Sequence, residues 1–393
     1  MSAIEASRDV RVDFLRGIAL LVIFVDHIDG NILARVTYRL SGFADAAEWF
    51  VLLSGYVVGI AYGRAVERNG AFRTQAKACY RAGELYVAHI ATLGIALALF
   101  HRMHAGAAGT LRSAQGSLDY THLYDNGLAA LWEVVTLRHL PPLFDILPAY
   151  MLFILAGPAY LVALRRFGWQ GPLAASAVLY AIPLIVPGAN LPNLPDGHWY
   201  LNPLSWQFLF FIGVSAGACG WLRKDLNARP QRLMRAALAV FGTGFVVKAV
   251  VVQTTHDASL VPWVGKVALE PVLLLHFLSL VYLVLWLLPR RAPVLARAWV
   301  EPLVACGRHP LPIFCGGIVL SVAGSVLVAN HPSLVSQLGV SATGCAALIG
   351  IAWFIDAATG AGSRRASPAV TPAAVRMDQA ADGSRERDET RAA

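Results

Sequence analysis

The chain has 393 residues, 57% hydrophobic and 14% charged, with a mean hydropathy of +0.57. A soluble domain averages roughly 45–50% apolar and about 25% charged residues, so soluble enzymes and disordered chains are both excluded. The formal charge of +8 comes without basic–aromatic alternation or zinc-finger spacing, so no nucleic acid partner is expected; in a membrane chain such an excess marks the loops of one side.

The N-terminus mixes Arg8 and Arg11 with Glu5, Asp9 and Asp13 and lacks a small-residue cleavage site after its apolar stretch, so a removed signal peptide is not expected. Ten spans follow, at about 12–30, 45–62, 82–100, 145–165, 173–188, 203–222, 235–253, 267–288, 310–329 and 338–358. Each approaches the ~20 apolar residues that cross ~30 Å of hydrocarbon. The expected fold is an all-α polytopic membrane helix bundle. Its first span is the shortest, apolar without interruption only from Gly17 to Val25.

Loop charges give the orientation. One set of loops carries Arg64, Arg68, Arg73, Lys77 and Arg81, then Arg165 and Arg166, then Arg223 to Arg235, then Arg290 to Arg308; the alternate loops hold far fewer, Arg35, Arg39, Arg102, Arg112 and Arg138, with none in 189–202, 254–262 or 330–337. By the positive-inside rule both ends face the cytoplasm. The outer segment 101–144 is polar with no clear helix or strand period, and residues 360–393 read as a disordered tail following a transmembrane domain over 1–359. Five scattered cysteines without a C-x-x-C pair read as small hydrophobes. Gly55-x-x-x-Gly59 and Gly213-x-x-x-Gly217 signal close helix packing.

Ionisable residues inside spans are costly and usually face a cavity or a partner. Arg16 and His27 stand eleven positions apart, which places them within ~20° on one helix face and about 16 Å apart along its axis. Asp13 shares that stripe, whereas Asp26 points elsewhere. Asp45 and Glu48 open the second span on one face, Asp145 opens the fourth, and Asn202, Trp206 and Gln207 open the sixth, all at the outer depth of His27; Glu270 is also outer. Arg16, Glu84, Arg308 and His309 are inner, with His89 and His276 nearer the middle. Two polar zones are thus joined by one helix.

Plainer readings compete. Asp45, Asp145 and Gln207 are placed to cap helix N-termini; Lys248 and Lys266 to snorkel; Arg81 and Glu84 to neutralise each other; and Trp49, Trp199, Tyr200, Trp206 and Trp263 to form an interfacial belt. His89 and His276 could simply pack. No G-x-S-x-G, H-E-x-x-H or Walker motif is present. A neutral His27 taking a proton from a hydroxyl, supported by Asp45 or Glu48, suits direct transfer from an activated donor such as an acyl thioester, whose anionic end would meet the inner arginines.

The stretches Val12-Asp13-Phe14-Leu15-Arg16-Gly17, Asp26-His27-Ile28, Gly42-Phe43-Ala44-Asp45-Ala46-Ala47-Glu48, Phe144-Asp145-Ile146-Leu147-Pro148, Asn202-Pro203 with Trp206-Gln207, Leu275-His276-Phe277 and Cys306-Gly307-Arg308-His309-Pro310 resemble the OpgC family over most of residues 8–330. Asp29-Gly30-Asn31 lacks the proline usual after the His-Ile pair, and Pro310 stands where serine is usual. The resemblance implies a bacterial inner-membrane O-acyltransferase moving succinyl from cytoplasmic acyl-CoA to a periplasmic glucan, with no tightly bound cofactor and no metal. It implies His27 as base supported by Asp45 and Glu48, and Arg16 as its essential partner. Asp145, Asn202, Trp206, Gln207, His276, Arg308 and His309 are expected to bind substrate. The competing expectation is a transporter with Arg16 and His27 lining a solute path, but the chain shows no repeated halves.

Overall fold

The computed structural model describes residues 9–37, 42–104, 121–194, 197–223, 231–255 and 261–360. The expected tail beyond Gly360 lies outside these residues. The helices are α1 (Val10–Asp26), α2 (Ala46–His104), α3 (Thr121–Val135), α4 (Ile146–Phe167), α5 (Gln170–Ile185), α6 (Pro203–Ala218), α7 (Gln231–Thr255), α8 (Pro271–Leu287), α9 (Glu301–Arg308), α10 (Pro310–Asn330) and α11 (Leu334–Thr359). A two-residue antiparallel ladder, β1 (Pro192–Asn193) with β2 (Gly197–His198), is the sole sheet among the described residues. The fold is all-α, and helices occupy most of each of the ten segments expected from the sequence. By length and composition α2, α4, α7, α10 and α11 contain stretches able to cross a membrane, while α5, α6 and α8 are apolar but shorter. A main compact unit runs to Ala352 and a second begins at Trp353, within the last turns of α11.

The second and third expected spans are legs of α2, which breaks at Gly70 (φ 79°, ψ 168°), a left-handed conformation that glycine adopts without steric cost. Lys77 lies fifteen residues beyond Tyr62, which a straight helix would separate by about 22 Å. Its ammonium is instead 5.9 Å from the Tyr62 ring, so the chain turns back at Gly70. Segment 101–144 is a correction: it contains α3. A bend at Gly127 (φ 48°) interrupts its apolar period.

The core of the main unit forms where α2 meets α6 and α4 and where α1 meets α9 and α10. Glycine sets both closest approaches. A Cβ on Gly55 or Gly59 would collide with the Phe210 or Val214 carbonyl of α6, and one on Gly213 or Gly217 with the Leu52 or Tyr56 carbonyl of α2. The two G-x-x-x-G motifs therefore face each other. At the second seam Gly17 abuts the Leu303 carbonyl and Gly307 the Asp13 carbonyl. The expected aromatic belt is corrected in part: Trp49, Trp199 and Trp206 are buried, while Trp263 and Tyr200 are exposed. Trp49 meets Phe277 edge-on.

Candidate active site

Two cavities open along α1. The first, about 920 Å³, is lined by Arg16, Arg64, Lys77, Arg81, Arg290 and Arg308 against Asp9, Asp13 and Glu84, with Tyr56, Tyr62 and Tyr150 among its walls. Among the described residues, six cations against three acids give it a positive excess.

Arg16 is fixed by the glycine seam between α1 and α9. Because Gly307 has no side chain, its backbone reaches α1, and Arg16 Nε donates to the Gly307 carbonyl at 2.8 Å. Nη2 donates to the same oxygen and to Asp13 Oδ1 at 3.1 Å. Arg308 lines the cavity and pairs with Glu301 at 3.0 Å. Arg81 and Glu84 pair at 2.8 Å, as expected, on the opposite wall. His309 caps the end of α9 and begins α10 without lining this cavity.

The second cavity, about 800 Å³, is lined by His27, Asp26, Asp45, Asp145 and Lys266 with His122, His139, His198, Asn193 and Tyr200. Among the described residues, three carboxylates against one ammonium give it the opposite sign. His27 caps the end of α1, and its Nδ1–H donates to the Ile23 carbonyl at 2.6 Å. That bond fixes the tautomer and makes Nε2 the basic nitrogen. α10 holds the turn in place. Ser321 Oγ donates to the Phe24 carbonyl at 3.0 Å, and Ser325 Oγ donates to the His27 carbonyl at 3.4 Å while accepting from the Asp29 amide at 2.8 Å.

Asp45 accepts from the Ala47 amide at 2.8 Å and Glu48 accepts from the Asp45 amide at 2.8 Å, a capping box at the start of α2. The expectation that Lys266 snorkels is overturned. Its Nζ pairs with Asp45 and lies 3.7 Å from Glu48 Oε1. Three buried contacts hold the segment in that position. Trp206 Nε1 donates to the Lys266 carbonyl at 3.0 Å, Tyr180 OH donates to the Leu269 carbonyl at 2.8 Å, and the Asn202 amide donates to the Val267 carbonyl at 3.2 Å. Burial pulls the Lys266 ammonium down, but Glu48 and Asp45 outweigh it and hold it above its ordinary range. Lys248 likewise donates to the Gly42 carbonyl.

Of the remaining expected residues, Asp145 lines the second cavity from the N-cap of α4 and makes no side-chain cap bond. Asn202 caps α6 through the Leu204 amide at 3.0 Å. Gln207 joins α6 to α5, accepting from Ser176 Oγ at 2.6 Å, and is not a helix cap. His276 packs between Gly42 and Gly244, stacked on Phe241. Glu48, Asn202, Trp206, Gln207 and His276 line neither of these two cavities. His89 lies edge-on to Phe144.

Sequence reasoning missed the roof of the second cavity. His122 Nε2–H donates to Glu133 at 2.7 Å, and its ring centroid is 4.7 Å from that of His139. His139 Nδ1–H donates to the Leu194 carbonyl at 2.5 Å, which leaves Nε2 as its basic nitrogen, as at His27. Burial, the largest effect, pushes the His139 imidazole below the ordinary histidine value; the Leu194 bond opposes this and nearby His122 adds to it. The ladder docks onto this segment, with Asn193 Oδ1 accepting from the Leu140 amide at 2.7 Å.

The OpgC protein family model matches residues 8–359. A search of curated proteins found no match to the chain. The matched region covers both cavities and every residue named in them, and the chain belongs to the OpgC family.

Proposed function

We propose that this protein is a multi-pass O-acyltransferase of a bacterial inner membrane, with ten spans and both ends in the cytoplasm. It moves an acyl group from cytoplasmic acyl-CoA to a hydroxyl of a periplasmic glucan. The observation that carries the reading is that one short helix presents Arg16 to a basic cavity and His27 to an acidic, histidine-rich one. The basic cavity suits the phosphates of a nucleotide thioester. The second suits a neutral polyol, which offers hydroxyls to imidazole and carboxylate acceptors.

In this reading the acceptor hydroxyl gives its proton to His27 Nε2, and its oxygen attacks the thioester carbonyl carbon. The tetrahedral intermediate collapses as the carbon–sulfur bond breaks. The thiolate leaves and takes up the proton, giving an ester and free CoA. Positioned base catalysis of this kind contributes roughly 10²–10⁴-fold. Asp45 and Lys266 form a fixed ion pair beside the base, with Glu48 behind them. Succinyl is the acyl group that family membership suggests.

The test is His27→Gln, read as acyl ester on periplasmic glucans by mass spectrometry of deletion and complemented strains. Loss of ester with unchanged protein in the membrane is expected. Full ester content removes His27 as the base, and solute uptake in proteoliposomes without any ester product would favour a transporter.

A further inference from the structure

Three helices contribute to both cavities without the cavities merging. On α1 Arg16 lines the first cavity and Ile23 and His27 the second; on α2 the corresponding residues are Tyr56 and Ala47, and on α4 they are Tyr150 and Ile146. The separation is about 10 Å along α1 and about 13 Å along α2, but only about 6 Å along α4, at 1.5 Å per residue. Aromatic side chains from α2, α4 and α10 pack against one another near that place. Phe50, on α2 between the two sets of lining residues, stacks on Phe314 of α10 at 5.7 Å and 23° and meets Tyr150 edge-on at 6.4 Å. Leu20, on the stripe between Arg16 and Ile23, and Leu147 of α4, next to Ile146, are also buried. These side chains carry no charge, although the buried Glu48 stands two residues before Phe50 on α2. Ordinary core packing would place apolar residues here too, but a core buried on all sides does not stand between two large polar cavities.

We infer that Phe50, with Tyr150 and Phe314, is a closed aromatic partition that keeps the cavities from joining into a pore and parts to admit the acyl thioester from the first cavity to His27. This rests on the proposed acyl transfer, but the sealing half can be read without it. An apolar constriction one ring thick excludes water and ions by dewetting. It would also admit a narrow unbranched chain while leaving the charged nucleotide end among the arginines. Phe50 then selects the width of the acyl group.

The experiment is full-length protein in phosphatidylethanolamine–phosphatidylglycerol vesicles loaded with a pH-sensitive dye. Phe50→Ala is expected to raise proton flux about tenfold over wild type, since it removes the dewetted constriction. It is also expected to raise the use of a branched acyl-CoA relative to a straight-chain one. Phe50→Trp should depress transfer while leaving binding of free CoA intact. Should Phe50→Ala not be recovered folded, Phe50→Leu and Phe314→Ala carry the same readings. Flux at the wild-type level in the folded variants overturns the partition. So does unchanged donor selectivity in variants that do transfer acyl groups. A leak through a variant of a protein that turns over no acyl donor keeps the seal and removes the acyl-transfer reading.

Discussion

The two cavities share α1, α2 and α4, yet they hold their charges in different ways. In the first, Arg16 is fixed against a bare carbonyl that a glycine brings within reach, and the other cations line the remaining walls. In the second, the sole lysine is tied down by two carboxylates, and His27 and His139 each commit one nitrogen to a backbone carbonyl. Among the described residues, one cavity gathers cations and the other gathers imidazoles and carboxylates. In the proposed reading, the same pair of helix turns that separates them would keep donor binding apart from proton transfer.

The largest way to break this contrast is at the seam. Gly307→Val drives a side chain into the Asp13 carbonyl and pushes α9 away from Arg16. A loss of roughly 3 kcal/mol or more is expected, at the upper end of overpacking costs, seen as a lowered thermal midpoint in detergent. Next, Lys266→Met leaves Asp45 and the fully buried Glu48 without their cation. About 2–3 kcal/mol should be lost, less than for a wholly buried pair because the lysine is partly exposed. Lys266→Arg should restore most of it, and CoA binding at the first cavity should not change. Arg308→Ala acts on the first cavity alone and should weaken calorimetrically measured CoA binding about tenfold, or 1.4 kcal/mol; an equal loss in glucan binding would erase the distinction between the two sites.

The smallest effect concerns His139. Its imidazole is held below the ordinary 6.5 in the fold, so on acidification the unfolded chain takes up the proton first. Stability should therefore fall as pH drops below about 6.5, until the folded imidazole is protonated as well. His139→Gln should lose less than wild type between about pH 7.5 and about pH 5.5, again read from thermal midpoints.

Arg16 and His27 were legible because charge and imidazole inside a short apolar run have few neutral explanations, and helix periodicity alone puts them on one face. The G-x-x-x-G pairs were legible for the same local reason. Lys266 was not: nothing in its own neighbourhood shows that Trp206, Tyr180 and Asn202 pull its loop over Asp45. The tryptophans at span ends look alike in sequence whether they face headgroups or, as Trp49 does, another helix. Gly127 hid α3 and with it His122 and Glu133. Ser321 and Ser325 carried no signal, since a small polar residue in an apolar helix bonds its own backbone by default; both also donate across to α1.

Those two serines have a consequence for the bilayer. Ser321 reaches the Phe24 carbonyl of α1 and Ser325 accepts from the Asp29 amide just beyond His27, so the depth of His27 is registered to a neighbouring 21-residue helix and not to the lipid around it. A thinner or thicker membrane would tilt α10 and carry the imidazole with it as one body. The surroundings of the His27 imidazole should then be the same in short-chain and long-chain lipids.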